Sequence, residues 1–352
     1  MKVLIVGPYT SPIISRLKYY LDGRGIEVKV ASFGSSIGEG DYSLGKLKGF
    51  KSYFNFFKLN KVIKTYKPDV VHAHIVNHYG LMSLLSTKPI ILAAWGSDVL
   101  LANKSGNVIK DLFFTLINKL VLNRVAHIHT SGTSVYRSLI DEYNCDSRKV
   151  SVFYWGLPLI ASGLEIDSQR RLETEFGLKG DRFIVFNRGL GSVYNPGLVL
   201  KIIKDINVLN IQRKIVVFKG FAGVDEFEGF KELLPANVIL IDRLLTDDEL
   251  ISIYKRTDVH VSVPVSDSLG GGVVEPALLG SFPILSDLQS YSDYIKENPG
   301  AIISDDSYSD IIGKISSGVY RNTIKNMPID GYKAKSIVSE LLEAYEELVR
   351  KC

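Results

Sequence analysis

Short apolar segments rich in β-branched residues alternate with helical segments along the whole chain, and this alternation restricts the fold more than any other feature. The first half contains the strand-like segments KVLIVGP, EVKVASF, PDVVHAHI, PIILAAWGS and KVSVFYWG. The pattern pauses near GLPLIASGLEID and starts again with RFIVFNRG, KIVVFKG, NVILIDR, VHVSVPV and PILSD. Strands that alternate with helices predict parallel sheets covered by helices on both faces. We therefore predict an α/β protein with two similar domains.

Length and composition restrict the class and the compartment of the protein. The 352 residues are sufficient for two domains, and the 46% hydrophobic content is typical of a folded globular protein. The two cysteines, Cys145 and Cys352, show no metal-ligand spacing, so we expect no disulfide framework and a reducing compartment. The apolar run 3–6 is too short for a signal peptide core, and no apolar run approaches the ~20 residues of a membrane span. These features predict a cytoplasmic protein that is soluble or peripheral to a membrane.

The stretch SDSLGGGVVEPALLG, residues 266–280, places three consecutive glycines between a strand and an apolar helix. Ligands of parallel sheets bind beyond the carboxyl ends of the strands, where this stretch is predicted to lie. Glycines allow backbone N–H groups to approach a ligand closely, and a helix N-terminus favours negative charge. The stretch therefore predicts a phosphate or diphosphate site. The alternative interpretation is a tight turn followed by a helix-capping Glu275.

The longer stretch DSLGGGVVEPALLGSFPILSD resembles the signature of retaining glycosyltransferase family 4, in which seven residues separate an acid from a glutamate. In this chain the two acids are Asp267 and Glu275. The similarity extends over about residues 183–290 and is weaker in the first half, where PDVVHAHIVNHYGL and ILAAWGSDV are similar to the family's fourth and fifth strands. The resemblance implies the GT-B architecture, an α/β fold in which two Rossmann-like domains with parallel sheets face a central cleft.

The same resemblance implies domain boundaries. An N-terminal, acceptor-side Rossmann-like domain is expected over residues 1–158, and a nucleotide-sugar-binding Rossmann-like domain over residues 165–332. The terminal segment, 333–352, has apolar residues at helical spacing and is expected to pack back on the first domain.

The resemblance also implies roles for residues of the second half. Glu275 is expected to hold the ribose hydroxyls of a nucleotide sugar, Asp267 to contact the donor sugar, and Arg188 to bind the diphosphate and to offset its charge as it leaves. These three residues are the candidate catalytic groups. The family's lysine is missing after Arg188, and Lys219 is the nearest substitute. The other candidate donor-binding residues are Gly7, Arg243, Leu244, Leu269, Gly270, Gly271, Gly272 and Val273.

Candidate residues of the first half fit the family pattern less well. Gly7 stands alone where the family has a pair of glycines, and Trp95 occupies the position of a histidine and can stack on a sugar or lie in the core. Asp98 is interpreted as an acceptor ligand or as a helix N-cap, and His74 as a cleft or core residue. Because no acid or cysteine lies at ligand spacing from the histidines, we predict no metal site. The resemblance likewise implies a metal-independent enzyme without a cofactor.

Segment 44–67, LGKLKGFKSYFNFFKLNKVIKTYK, contains seven lysines and no acid, and five aromatic residues, Phe50, Tyr53, Phe54, Phe56 and Phe57, are interleaved with the lysines. Basic residues with bulky aromatics suit an anionic membrane interface or nucleic acid. A packed helix with solvated lysines is the alternative. Since nothing else in the sequence indicates nucleic acid, we predict binding of residues 46–67 to an anionic membrane surface and no nucleic-acid partner.

Three function classes fit these features. The first is a retaining glycosyltransferase (hexosyltransferase) that moves a sugar from a UDP- or GDP-type donor to a glycan or a lipid-linked acceptor, in surface polysaccharide or glycolipid biosynthesis. Such an enzyme is expected in the cytoplasm or on the inner face of the membrane. The second is a nucleotide-sugar epimerase of the same architecture, and the third is a donor-binding partner protein with weak catalysis. A dehydrogenase is disfavoured because no G-x-G-x-x-G follows a first strand.

Overall fold

A computed structural model describes most of the chain. The described residues are 1–34, 38, 40–46, 55–102, 104, 106–156, 158–180, 182–209, 213–220, 224–322 and 334–351. They form two compact units, of which unit 1 comprises Met1–Leu157 with Asp330–Cys352, and unit 2 comprises Pro158–Ile329.

The regular elements alternate between strand and helix in both units. Unit 1 contains β1 (Lys2–Val6), α1 (Pro12–Asp22), β2 (Glu27–Ser32), β3 (Tyr42–Ser43), α2 (Phe56–Tyr66), β4 (Val70–His74), a π-helical turn (Val76–Gly80), α3 (Leu81–Ser83), β5 (Ile90–Ala94), α4 (Ser97–Leu100), α5 (Val108–Arg124), β6 (His127–Thr130), α6 (Thr133–Asp141), a 3-10 turn (Ser147–Lys149) and β7 (Val150–Val152). Unit 2 contains α7 (Glu165–Phe176), β8 (Phe183–Phe186), a 3-10 turn (Ser192–Tyr194), α8 (Pro196–Val208), β9 (Lys214–Phe218), α9 (Val224–Glu232), β10 (Val238–Ile241), α10 (Asp247–Tyr254), β11 (Thr257–Ser262), α11 (Gly271–Leu278), β12 (Phe282–Ser286), α12 (Gln289–Glu297), β13 (Ala301–Ile303), α13 (Tyr308–Ser317) and a 3-10 turn (Val319–Asn322). The chain then returns to unit 1 with α14 (Ala334–Arg350).

Each unit is built on one parallel sheet with the same strand order. The order is β3-β2-β1-β4-β5-β6-β7 in unit 1 and β10-β9-β8-β11-β12-β13 in unit 2. All pairs between these neighbouring strands are parallel, as in the register Val6↔Ala73 between β1 and β4. This is the doubly wound order, in which ligands bind at the switch point between the first and the fourth strand. The prediction of an α/β protein with two parallel-sheet domains is confirmed.

The strands are apolar because both of their faces are covered. Val3, Leu4, Ile5 and Val6 are all fully buried in the centre of the unit 1 sheet, which explains why the sequence of β1 shows no polar alternation. One face of this sheet packs against α2, α5 and α6 in a single apolar core. The corresponding core of unit 2 includes the inward side chains of α8 and α13.

The last helix belongs to unit 1. Three of its apolar residues, Ile337, Leu341 and Tyr345, are almost completely buried. The Tyr345 hydroxyl lies 2.6 Å from Nδ1 of His72 in β4. This contact joins α14 to the centre of the first sheet, 273 residues away in sequence.

None of the helices described in the structure has both the length and the apolar character that crossing a bilayer requires.

Candidate active site

The switch point of unit 2 brings together two of the three charged residues that the family resemblance singles out. Arg188 follows β8 and Asp267 follows β11, and these two strands are neighbours in the sheet. The Nη2 atom of Arg188 lies 2.9 Å from Oδ1 of Asp267, and the two side chains are only 15% and 11% exposed. The fold therefore assembles a nearly buried ion pair at the edge where a doubly wound sheet binds its ligand.

The Asp267 carboxylate is held by further donors. The Tyr291 hydroxyl donates to Oδ2 at 2.6 Å, and the Gly270 N–H donates to the same oxygen at 3.3 Å. Ser290 Oγ donates to the main-chain oxygen of Asp267 at 2.9 Å. Burial, reinforced by the charge of Asp267, holds the pKa of Tyr291 well above its ordinary value, so the hydroxyl keeps its proton and remains a donor.

Arg188 is a permanent cation in this environment. Burial alone would lower the pKa of its guanidinium, but the charge of Asp267 and the nearby tyrosines offset this and leave the pKa above its ordinary value. The guanidinium carbon lies 5.2 Å from the centre of the Tyr194 ring. The Nε atom is buried and has no hydrogen-bond partner among the described residues. Arg188 therefore keeps donor capacity beyond its pair with Asp267.

The glycine triplet is explained by the position of Arg188 and Glu275. A Cβ atom on Gly270 would lie 2.7 Å from Arg188 Nη1, and one on Gly272 would lie 2.7 Å from Arg188 Cδ. A Cβ atom on Gly271 would lie 2.5 Å from Oε1 of Glu275. Each glycine thus leaves room for a charged side chain that packs across the first turn of α11. The first N–H groups of the helix, which have no intrahelical acceptor, lie in the same turn.

The Gly272→Ala variant tests this packing. The new methyl group is expected to displace Arg188 and to weaken binding of a nucleotide sugar by roughly tenfold or more, since a charged hydrogen bond is lost. The matched control is Gly197→Ala, in the first turn of α8, where an added Cβ meets nothing within 4 Å. Calorimetry that finds the same donor affinity in both variants would show that Arg188 adapts to the methyl group without consequence.

The backbone around the triplet is fixed by two unusual features. Leu269 has a φ of 69°, which is strained for a branched residue and positions Gly270 as the N-cap of α11. The side-chain amide of Asn187 donates to the main-chain oxygen of Gly272 at 2.8 Å and to the hydroxyl of Tyr254 at 3.0 Å. The N–H of Val273 donates to the main-chain oxygen of Gly270 within the turn. Asn187 thereby ties the end of β8 to the start of α11.

Glu275 is half-buried on the next turn of α11. It lines a cavity of about 270 Å³ within unit 2, together with Leu278 of the same helix and Lys255. A carboxylate at the wall of a cavity of this size can accept hydrogen bonds from the hydroxyl groups of a small ligand.

The remaining candidates of unit 2 lie at neighbouring strand ends. Lys219 follows β9, and its ammonium group lies 4.3 Å from the centre of the Phe227 ring. Its main-chain oxygen accepts from the N–H of Leu190, two residues after Arg188, at 3.1 Å. Lys219 therefore belongs to the same edge of the sheet as Arg188.

The side chain of Arg243 is engaged in a structural network. It pairs with Glu175 at 2.6 Å and with Glu249 at 2.8 Å, and these hydrogen bonds raise the pKa of its guanidinium. Glu249 also completes the capping box of α10 with Thr246. Leu244, the next residue, is exposed.

In unit 1 the switch point contains Gly7 and His74. A Cβ atom on Gly7 would lie 3.1 Å from the Cβ atom of His74, so a larger residue after β1 would press against the end of β4. Trp95 Nε1 donates to His74 Nδ1 at 3.1 Å. His74 is fully buried, whereas Trp95 is half-buried.

Asp98 holds loops together. Its carboxylate accepts from the N–H groups of Val76 at 2.8 Å, Gly96 at 2.9 Å and Trp95 at 3.0 Å. The N-cap of α4 is Gly96, and Asp98 is the second residue of the helix. Burial raises the pKa of Asp98, and the three N–H groups oppose this rise. The carboxylate fixes the segments that follow β4 and β5 relative to each other.

The histidines of unit 1 contact one another and aromatic rings. The Nε2 atoms of His72 and His129 lie 2.8 Å apart, and the rings of His72 and His74 stack with centres 4.3 Å apart. The described residues contain no group of three or more His, Cys, Asp or Glu side chains that could hold a metal ion.

The basic aromatic segment is described only in part, because residues 47–54, with Lys48, Phe50, Lys51, Tyr53 and Phe54, lie outside the described residues. In α2, Leu59, Ile63 and Tyr66 face the core, while Lys58, Lys61 and Lys64 are exposed. Phe57 is also 66% exposed, so one of the predicted aromatic side chains faces outward.

Sequence reasoning missed Tyr291 and Asn187. Tyr291 lies on α12, 24 residues after Asp267, which lies in the loop between β11 and α11, and no local spacing connects the two. Asn187 directly precedes Arg188, and a polar residue at the end of an apolar strand is the one signal that pointed to it.

Comparisons with known proteins agree with this architecture. Residues 2–132 match the model of the family described as Glycosyl transferase 4-like. Among solved structures, the chain is similar to sucrose-phosphate synthase from Thermosynechococcus elongatus, with a TM-score of 0.76, 12% identity and 100% of both chains covered. It is also similar to Anabaena HepE in complex with UDP-glucose, with a TM-score of 0.74, 11% identity and coverage of 99% of this chain and 100% of that chain. UDP-GlcNAc 2-epimerase from Methanocaldococcus jannaschii matches with a TM-score of 0.61, 13% identity and coverage of 98% and 100%. No curated protein sequence matches the chain.

The two parallel-sheet units and the similar solved structures define the GT-B fold, and residues 2–132 match a family described as Glycosyl transferase 4-like. The family match lies in residues 2–132, so the predicted resemblance to glycosyltransferase family 4 is confirmed. It falls on the half of the chain in which the sequence motifs were weaker.

Proposed function

We propose that the protein is a retaining glycosyltransferase that moves a sugar from a nucleoside diphosphate sugar to a glycan or a lipid-linked acceptor. The observation that carries the proposal is the nearly buried Arg188–Asp267 pair, which packs on the glycine turn that begins α11. A buried cation beside the N-terminus of a helix is an environment that favours a diphosphate.

In this proposal Arg188 binds the diphosphate and offsets the negative charge that develops on it as the bond to the sugar breaks. The N–H groups of the first turn of α11 act on the same charge, and Lys219 adds a second cation at the same sheet edge. Asp267, oriented by Tyr291, accepts from hydroxyl groups of the donor sugar. Glu275 accepts from the ribose hydroxyls.

The donor is proposed to be of the UDP or GDP type. HepE, which is similar in fold, has been solved with UDP-glucose and with UDP. That likeness supports a nucleoside diphosphate, while the base is left open because the main chain near Arg243 and Leu244 would contact it. No cofactor and no metal take part in the proposed reaction.

A donor panel separates the proposed activity from its alternatives. The protein is incubated with UDP- and GDP-sugars, with and without glycan and lipid-linked acceptors, and donor binding is followed by thermal shift. Formation of a glycosylated acceptor with retained anomeric configuration supports the proposal. Conversion of the donor into an isomeric sugar without an acceptor would identify an epimerase, and binding without turnover would identify a donor-binding partner protein.

The Glu275→Ala variant tests the ribose assignment. Loss of a charged acceptor should weaken binding of the donor by about 1.5–3 kcal/mol while unit 2 stays folded. The matched control is Glu165→Ala, which removes another carboxylate of the same cavity, one that pairs with Lys255 at 2.6 Å. Unchanged donor affinity of a folded Glu275→Ala protein in calorimetry would contradict the assignment.

A lipid-linked acceptor would place the enzyme on the inner face of a membrane, in surface polysaccharide or glycolipid biosynthesis. The exposed lysines of α2 support this part of the proposal, because each lysine near an anionic surface contributes ~1 kcal/mol of attraction. His74 and Trp95, at the switch point of unit 1, are the proposed contacts on the acceptor or sugar side.

A further inference from the structure

The outer face of α5 is apolar. Six large apolar side chains of this helix are exposed, with exposed fractions that range from 37% for Phe113 to 82% for Ile109. The six are Val108, Ile109, Leu112, Phe113, Leu116 and Leu120, and we call them the α5 face. At 3.6 residues per turn these positions share one side of the helix, about 18 Å long. Ile117, Val121 and Leu122 lie on the opposite side and pack into the core of unit 1.

A helix that is apolar on both sides can pack against the core with one side and bind a second apolar surface with the other. The buried residues of α5 lie on its inner side, which closes over Gly80 so tightly that an added Cβ there would lie 2.9 Å from Val121. On the outer side, Val108, Ile109, Leu112 and Leu116 are each more than half exposed.

The charges around the α5 face are positive. Lys110, Lys119 and Arg124 are exposed on the helix, and its one acidic residue, Asp111, is half-buried in the first turn. The helix α3 packs between α2 and α5, and both helices cover the same face of the sheet. The exposed residues Lys58, Lys61 and Lys64 of α2 therefore belong to the same side of unit 1 as the α5 face.

A second copy of the chain fits this surface poorly. A single helix face about 18 Å long and about 10 Å wide falls far short of the ~800 Å² per partner that a stable dimer buries. Two α5 faces placed against each other would also bring lysines and arginines together without exposed acids on the helix to pair with them. An anionic bilayer has no such conflict, since it accepts apolar side chains between its headgroups and attracts the surrounding cations.

We propose that the α5 face inserts into the interface of an anionic membrane and that the α2 lysines supply the long-range attraction to it. Insertion gives a component of binding that resists salt, whereas the attraction of the lysines is screened within a Debye length. This assignment does not depend on the donor chemistry proposed above.

The test measures co-sedimentation of the full chain with vesicles of phosphatidylglycerol and phosphatidylcholine, and with vesicles of phosphatidylcholine alone. We expect the wild type to bind the anionic vesicles at low salt and to keep part of this binding at high salt. The variant I109S/L112Q/L116Q should bind at least ~10-fold more weakly at both salt concentrations. The variant K58E/K61E/K64E should lose most of the salt-dependent part of the binding and keep the part that Lys110, Lys119 and Arg124 contribute. The matched control, L164Q/I166Q/V208Q, removes three comparably exposed apolar side chains from unit 2 and should bind like the wild type.

The proposal is overturned if the wild type does not bind anionic vesicles at low salt, or if I109S/L112Q/L116Q binds them as well as the wild type does. It is also overturned if sedimentation shows a dimer that this variant dissociates, because the α5 face would then be a contact between copies. Circular dichroism and thermal unfolding verify that each variant is folded, which is expected for substitutions of exposed residues. Vesicle binding by a protein that transfers no sugar would contradict the proposed function and leave the membrane assignment intact.

Discussion

Replacing Arg188 with alanine is expected to reduce turnover by roughly 10²- to 10³-fold, which is the effect of removing one preorganised donor from a developing negative charge. Donor affinity should fall less, because the diphosphate carries more charge on its leaving oxygen in the transition state than in the bound donor. Steady-state kinetics give the loss in kcat, and calorimetry with the intact donor gives the loss in affinity. Equal losses in both, or a loss in neither, would show that Arg188 does not act on the leaving group.

The ion pair requires a control of its own. Arg188→Ala also leaves the Asp267 carboxylate nearly buried without its cation, and an uncompensated buried charge is destabilising and repels a diphosphate. The double variant Arg188→Ala/Asp267→Asn removes this charge. If Arg188 serves only as the partner of Asp267, the double variant turns over like Asp267→Asn alone, whereas a role at the diphosphate keeps its turnover well below that of Asp267→Asn. Arg188→Lys retains the charge but not the planar fork of donors, and is expected to lie between the wild type and Arg188→Ala.

The fold was predictable because each strand is a short apolar run bounded by turn residues. The sequences KVLIVGP and RFIVFNRG both become central strands next to a switch point, and their residues are buried on both faces. The glycine triplet also predicted a turn before a helix, and the structure places Asp267 and Arg188 beside it.

Partnerships between distant residues were not predictable. No periodicity connects Tyr291 with Asp267 or Glu175 with Arg243, because each pair forms only when separate elements pack together. The exposure of the outer face of α5 was not predictable for another reason. Its sequence, VIKDLFFTLINKLVLNR, is apolar at positions all around the helix, so the pattern predicts a helix but does not say which side is exposed.

The histidines of unit 1 lead to a prediction on acid stability. His72, His74 and His129 are fully buried in a cluster that also contains Trp95 and Trp155, the two tryptophans of the chain. Burial, with smaller contributions from neighbouring histidines, holds the pKa of each of the three well below its ordinary value. Tryptophan emission therefore reports on the environment of these histidines in unit 1.

The sign of the effect follows from which state binds more protons. Below pH 6.5 the unfolded chain protonates its histidines and the folded unit does not, so stability is fully present above this pH and is lost as the pH falls toward the lowered folded pKa values. Each histidine contributes about 1.4 kcal/mol of destabilisation per pH unit, and three together about 4 kcal/mol. Since a domain is stable by roughly 5–15 kcal/mol, we expect unit 1 to unfold within a few pH units below 6.5.

Unit 2 should respond less, because it contains one histidine, His260, whose pKa burial lowers to about 3. In an acid titration at constant ionic strength, the red shift of tryptophan emission should therefore accompany the loss of about half of the far-UV circular dichroism, which comes from unit 1. The remaining half, from unit 2, should be lost at lower pH. Denaturant titrations at several pH values should show that His129→Asn reduces the pH slope of the unfolding free energy reported by the tryptophans by about 1.4 kcal/mol per pH unit. His260→Asn, the matched control in unit 2, should leave that slope unchanged. An emission maximum that stays constant down to pH 4, or a slope that His129→Asn does not alter, would contradict the assignment of acid sensitivity to the buried cluster.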